Sequence, residues 1–196
     1  MFRDISEPVL SRMRFLEATD GRQRIDGTDH LERLRQIPPV TGRFLAVLAA
    51  SAPPGAWLEI GTSGGYSALW LSLACRAVGG RLTTFEVLES KAAIARETFD
   101  KAGVADVVNL VVGDARDHLD NYDGVAFCFL DAEKEYYDAC YETVVPRMVE
   151  GAILVADNVI SHEEILEPMV DRVLRDDRVD AVVVPVGSGV LVARKA

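Results

Sequence analysis

Basic residues are scarce in this chain. It holds 21 Lys and Arg against 31 Asp and Glu, a formal net charge of −10. Nucleic acid and anionic membranes recruit through cationic surface, so neither is expected as a partner. Long apolar runs are missing as well, and stretches such as Val125–Leu130 fall far short of the roughly 20 residues that span a bilayer. The opening MFRDISEP carries acids and no apolar segment, so no secretory signal is expected there and a cytoplasmic location is. Cysteine is limited to Cys75, Cys128 and Cys140, each in apolar surroundings and at no metal-ligand spacing. That predicts free buried thiols, not a disulfide framework or a zinc site. Repeats and low-complexity segments are absent too.

What is there describes an ordinary globular chain of 196 residues, 49% apolar and 27% charged. Its length predicts one domain over 1–196, with a helical cap at 1–52 and an α/β core at 56–196. In the cap, Val9, Leu10, Met13 and Leu16 predict a helix over Pro8–Thr19, followed by a polar loop to Thr28. Asp29 is placed to cap a short helix, His30–Gln36, that Pro38-Pro39 ends, and Thr41 to cap Gly42–Ala50.

From Ala56 the pattern alternates. Short apolar strands fall at 57–60, 81–86, 107–112, 124–130, 152–156, 179–184 and 189–194, with helical stretches at about 66–77, 90–102, 114–119, 134–148 and 163–176. Such crossovers predict a doubly wound, mostly parallel seven-stranded sheet covered on both faces. Only Pro185–Ser188 separates the last two strands, which predicts an antiparallel hairpin at one edge. Ligands of such sheets sit at the carboxyl ends of the strands, where strand order reverses.

The stretch Trp57–Ala74, WLEIGTSGGYSALWLSLA, reads as a buried strand, a small-residue turn at Gly61-Thr62-Ser63-Gly64-Gly65, and a helix. The turn permits close approach to backbone N–H groups. A dinucleotide fingerprint would need glycine where Ser63 stands, and no Gly-Lys-Ser/Thr follows as in a P-loop. Glu59 disfavours a pyrophosphate and suits a cofactor with an amine and a positive charge, as in S-adenosylmethionine. Glu86, ending the next strand, can accept hydrogen bonds from both hydroxyls of a ribose.

The remaining strands also end in polar residues: Gly113-Asp114, Asp131 and Asp157-Asn158. Singly these are ordinary turn and cap residues; together they line one sheet edge. Asp131, Asp157 and Asn158 offer three oxygens to a hard cation such as Mg²⁺, or else a helix cap and a turn. Lys134 follows in the first turn of the next helix, where the macrodipole disfavours an ammonium. That suits a general base, or a solvated lysine. His30, His118 and His162 have no evident partners, and Phe127, Cys128 and Phe129 read as core.

Together LEIGTSGGYSALWLSLA, Glu86, GDARDHL, FLDAEKEYY and ILVADNV resemble the cation-dependent O-methyltransferases, the branch of catechol and caffeoyl-CoA O-methyltransferase and many small bacterial enzymes. The resemblance covers nearly the whole chain. It implies the class I methyltransferase fold, with Asp131, Asp157 and Asn158 as metal ligands and Lys134 as the catalytic base. It further implies an S-adenosylmethionine site from Glu59, Gly61, Thr62, Ser63, Ser67, Glu86, Asp114, Ala115 and Asp131, closed by Ile37. A small hydroxylated aromatic acceptor and a homodimer are implied as well. Ala132-Glu133 replaces the His-Trp pair of catechol O-methyltransferase, and Ala181–Gly189 lacks the acid that touches its second hydroxyl. Three other readings compete. An RNA or protein methyltransferase lacks its Asn/Asp-Pro-Pro-aromatic motif here, and a non-catalytic S-adenosylmethionine-binding module would not need the metal set. A nicotinamide dehydrogenase is the third.

Overall fold

The structure, a computed structural model, describes residues 4–196. Seven strands, β1 (Ala56–Ile60), β2 (Leu82–Glu86), β3 (Val108–Val112), β4 (Val125–Leu130), β5 (Met148–Ala156), β6 (Val179–Val184) and β7 (Val190–Lys195), form one sheet in the order β3-β2-β1-β4-β5-β7-β6. Strands β1 to β5 pair in parallel, and β7 runs antiparallel to both β5 and β6. The order reverses between β1 and β4, which opens a crevice at their carboxyl ends.

Among the described residues six α-helices cover the sheet: α1 (Glu7–Gln23), α2 (Pro39–Ala49), α3 (Tyr66–Val78), α4 (Glu89–Ala102), α5 (Tyr137–Val144) and α6 (Glu163–Val173). Alternation along the strands divides the core. Trp57, Phe127, Phe129 and Val155 face the α1–α4 side, and Leu58, Ile60, Cys128, Leu130 and Leu154 face α5 and α6. Trp57 and Phe127 meet with ring centroids 5.8 Å apart. Burying a side chain the size of Phe127 stabilises by about 2–3 kcal/mol. The three cysteines are free and buried. Burial pushes the thiols of Cys75 and Cys140 up to about 12 and about 11, so they are inert packing groups.

The cap departs from expectation. His30–Gln36 is not a helix: Asp29 accepts from the Leu31 N–H at 2.9 Å, but the segment closes as turns and Arg35 takes a left-handed φ of 48°. Helix α1 runs on to Gln23, and Gln23 and Asp20 then accept from the backbone N–H groups of Leu34 and Gln36. Those bonds satisfy the segment without helical geometry. Helix α2 begins at Pro39, because a proline at the first position loses no helical bond, and Thr41 is buried inside it instead of capping it. Strand β5 starts at Met148, four residues before the predicted start, running through Glu150 and the positive-φ Gly151. The stretch predicted helical at 114–119 is two 3-10 turns, and that at 134–148 is α5 flanked by 3-10 turns.

Candidate active site

Single backbone hydrogen bonds pin the strand ends to one another. Gly61 and Thr62 N–H both donate to the Phe85 carbonyl at 3.1 Å, Gly113 N–H to Glu86 at 2.9 Å, Asp131 N–H to Ile60 at 2.9 Å and Asp157 N–H to Leu130 at 3.0 Å. The first residues beyond β1 to β5 therefore share one edge. They line a cavity of about 600 Å³, roofed by segment 33–37 of the cap. Gly61 is where this edge is tightest. Its φ is +105°, and a Cβ there would stand 2.1 Å from the Asp131 carbonyl oxygen. Only glycine fits.

Ser63 occupies the position of the missing glycine and takes a left-handed φ of 48° itself. Its N–H donates to Glu86 Oε2 at 2.7 Å, and its hydroxyl to the Leu34 carbonyl at 2.6 Å, tying the turn to the cap. Glu86 Oε1 accepts from Leu88 N–H at 2.9 Å. Two backbone donors thus fix the carboxylate on the cavity wall.

Glu59 does not line the cavity. It lies beneath the turn, fully buried, while Ser67 above it does line the cavity. Thr62 donates to Thr84 at 2.5 Å and Thr84 donates to Glu59 Oε2 at 2.6 Å, but Oε1 has no partner. Burial pushes the Glu59 carboxyl up to about 7, against the hydrogen bond from Thr84. Asp114 also differs from a free ligand: Arg116 binds both its oxygens, and the guanidinium stacks 3.8 Å from the Tyr136 ring centroid. Ala115 and Ile37 line the cavity as buried apolar wall.

Asp131, Lys134, Asp157 and Asn158 gather at the other end. Lys134 Nζ donates to the Ala132 carbonyl at 2.8 Å, to Tyr137 Oη at 3.1 Å and to Asp131 Oδ1 at 3.3 Å. Tyr137 Oη in turn donates to the Asp157 carbonyl at 3.2 Å. Asn158, at a left-handed φ of 67°, donates its amide to Asp131 Oδ1 at 2.8 Å. Asp157 is 2% exposed and its Oδ1 has no partner. Burial first, and Asp131 second, push its carboxyl up to about 7.

That donor set fits a hard divalent cation. Among the described residues no cluster of three or more His, Cys, Asp or Glu occurs. Two carboxylates and an amide oxygen still supply three oxygen ligands, and the orphaned Asp157 Oδ1 is an oxygen with nothing else to do. Mg²⁺ takes its remaining ligands from water or substrate. Holding it requires the Asn158 amide turned so that its oxygen faces inward.

Four residues around the cavity were not singled out from the sequence as site residues. Tyr137 lies within the FLDAEKEYY motif, and the contacts of its hydroxyl emerge only in three dimensions. Arg35 and Glu133 join across the cavity mouth at 2.5 Å, a pairing over 98 positions that no local pattern announces. Lys91 lines the wall beside Glu86. His162 touches Ser161 at 3.0 Å on the rim, and His118 stacks on Phe85 at 6.0 Å.

A seven-stranded, doubly wound sheet with β7 reversed, and its polar strand ends gathered at the switch point, is the class I methyltransferase architecture. The O-methyltransferase family profile matches residues 24–196, and the chain belongs to that family. Among curated proteins it is 42% identical over 123 residues to a catechol O-methyltransferase of Mycobacterium tuberculosis, covering 61% of this chain and 54% of that one. It is 33% identical over 136 residues to a catechol O-methyltransferase of Niastella koreensis, covering 67% and 61%. The chain thus spans a little over half the length of these relatives. Among solved structures, an O-methyltransferase from Bacillus cereus in complex with SAH superposes with a TM-score of 0.75 at 27% identity, covering 95% of this chain and 91% of that one. An O-methyltransferase from Streptomyces achromogenes in complex with SAM gives 0.78 at 25% identity, covering 98% and 91%.

Proposed function

We propose that this chain moves a methyl group from S-adenosylmethionine to a hydroxyl of a small catechol-like aromatic, assisted by a divalent cation such as Mg²⁺. One observation carries the reading: Asp131, Lys134, Asp157 and Asn158 converge on the same cavity as the Gly61–Gly65 turn and Glu86. The SAH and SAM complexes of the structural relatives, and the catechol O-methyltransferases among the curated ones, support it.

Glu86 accepts from the ribose hydroxyls, and its two backbone donors keep it from swinging away when they arrive. Ser67 and the N–H groups of the turn address the methionine end, with Asp131 beside the amine. Ile37 and segment 33–37 exclude water above. A cation held by Asp131, Asp157 and Asn158 would orient two adjacent acceptor oxygens and favour ionisation of one. Lys134 receives that proton at Nζ. A neutral amine has two N–H groups, which the Ala132 carbonyl and Tyr137 Oη can accept; its lone pair then serves the acceptor hydroxyl once Nζ gives up its 3.3 Å contact with Asp131 Oδ1. Much of the acceleration comes from holding oxygen and methyl at attack distance.

The test is methyl transfer from labelled S-adenosylmethionine to a panel of catechols, with Mg²⁺ or with chelator. Transfer that chelator, Lys134→Ala and Asp157→Ala each abolish is the expected result. Transfer indifferent to chelator would remove the cation from the reading and leave the cofactor.

A further inference from the structure

Lys91 is placed against three physical preferences at once. It is the third residue of α4, in the turn where the macrodipole disfavours a cation. Its side chain is 3% exposed, although lysine is almost never so buried without a counter-ion. The charged groups facing it are Glu86 from the end of β2, Glu32 and Arg35 from the cap, and Glu133 from the loop after β4. Two of these acids are engaged elsewhere. Glu86 holds the N–H groups of Ser63 and Leu88, and Glu133 pairs with Arg35. Among the described residues no ion pair or hydrogen bond closes on Lys91 Nζ. Burial, with Arg35 adding to it, holds the ammonium below the ordinary lysine range, against the pull of the three acids.

The stem is covered, yet Lys91 contributes to the cavity wall beside Glu86. Rules of this kind are broken where a ligand repays the cost. Ribose hydroxyls both donate and accept. An ionised carboxylate only accepts, so Glu86 answers half of what they offer. The complementary half needs a donor on the same wall, and Lys91 carries three free N–H bonds there.

We propose that Lys91 is a cofactor-binding residue, its ammonium donating to a ribose hydroxyl oxygen of the nucleoside whose hydroxyls Glu86 receives. This rests on the S-adenosylmethionine reading above. Glu86 and Lys91 then act as an acceptor–donor pair that selects ribose over deoxyribose.

The test is calorimetric binding of S-adenosylhomocysteine, and of its analogues lacking one or the other ribose hydroxyl, to the full chain. Wild type is compared with Lys91→Met and Lys91→Gln, and each ligand-free protein is melted. Lys91→Met is expected to weaken S-adenosylhomocysteine about tenfold, the scale of a charged hydrogen bond, and to bind one deoxy analogue as wild type does. Lys91→Gln, which keeps an N–H donor, recovers part of the loss. Ligand-free Lys91→Met is expected to melt no lower than wild type, since the ammonium has no protein partner to lose and the stem stays apolar. Wild-type affinity in Lys91→Met would overturn the proposal. So would an equal loss for all three ligands, or a fall in the ligand-free melting temperature. Wild type failing to bind S-adenosylhomocysteine at all would instead overturn the cofactor reading, and this assignment with it.

Discussion

On the side of the cavity proposed for the nucleoside, both Glu86 oxygens meet a backbone N–H, at 2.7 and 2.9 Å. On the acceptor side Asp157 Oδ1 meets nothing, and its carboxyl is pushed up to about 7. Both are acids at strand ends on one sheet edge, and both are nearly buried. The difference lies in what surrounds them. The turn after β1 and the start of α4 aim N–H groups at Glu86, so the chain stabilises that charge by itself. Asp157 faces Asp131 and an amide, a set of oxygens that the proposed cation would complete. One half has its donors from the backbone, and the other leaves a buried carboxylate oxygen without one.

The largest effect expected is on chemistry alone. Lys134→Met should lower kcat by about 10²–10⁴, the usual contribution of a positioned base, and leave S-adenosylhomocysteine affinity within about twofold. A matching loss of affinity would erase the distinction between the halves. Gly61→Ala strikes their junction, where the new Cβ would lie 2.1 Å from the Asp131 carbonyl oxygen. Denaturant unfolding should report a loss of about 3 kcal/mol or more, since the strand end has to move.

The next prediction concerns pH. Burial pushes the carboxyls of Asp157 and of Glu59 beneath the turn up to about 7, above their ordinary 3.8 and 4.5. The folded state therefore binds these protons more tightly than the unfolded state, and their contribution to stability falls as pH rises from about 4 to about 7. Each group adds a slope of up to about 1.4 kcal/mol per pH unit. Asp157→Asn and Glu59→Gln should each flatten the unfolding profile in that window. Added Mg²⁺ should recover the loss due to Asp157 and not that due to Glu59, which separates the two sides directly. The smallest effect belongs to Arg35→Ala. The pair with Glu133 is half exposed, so unfolding free energy should change by less than about 1 kcal/mol.

How far the sequence reached follows the same division. Strands were legible because β1, β2 and β4 are short and almost wholly buried, so their apolar runs stop where the strands stop. Where burial alternates with exposure and a glycine bends the backbone, as in Met148–Gly151, the boundary was missed. The cap was least legible. Segment 30–36 is held by Gln23, Asp20 and the Ser63 hydroxyl, partners 11, 16 and 29 positions away. The strand-end residues reached the cavity because parallel strands deliver them to one edge. Glu59 sits below it because alternation along β1 turns its side chain under α3, toward Ser67. Lys91 carried a visible signal, a lysine in a first helical turn, but its burial was not readable from spacing.

The proposed chemistry requires a cation held by Asp131, Asp157 and Asn158. Calorimetric titration of Mg²⁺ into the S-adenosylhomocysteine-loaded protein tests this most directly, with Asp157→Asn alongside. One Mg²⁺ per chain in wild type, lost in Asp157→Asn while S-adenosylhomocysteine still binds, is the predicted result. No Mg²⁺ binding in wild type, or equal binding in both proteins, would contradict it.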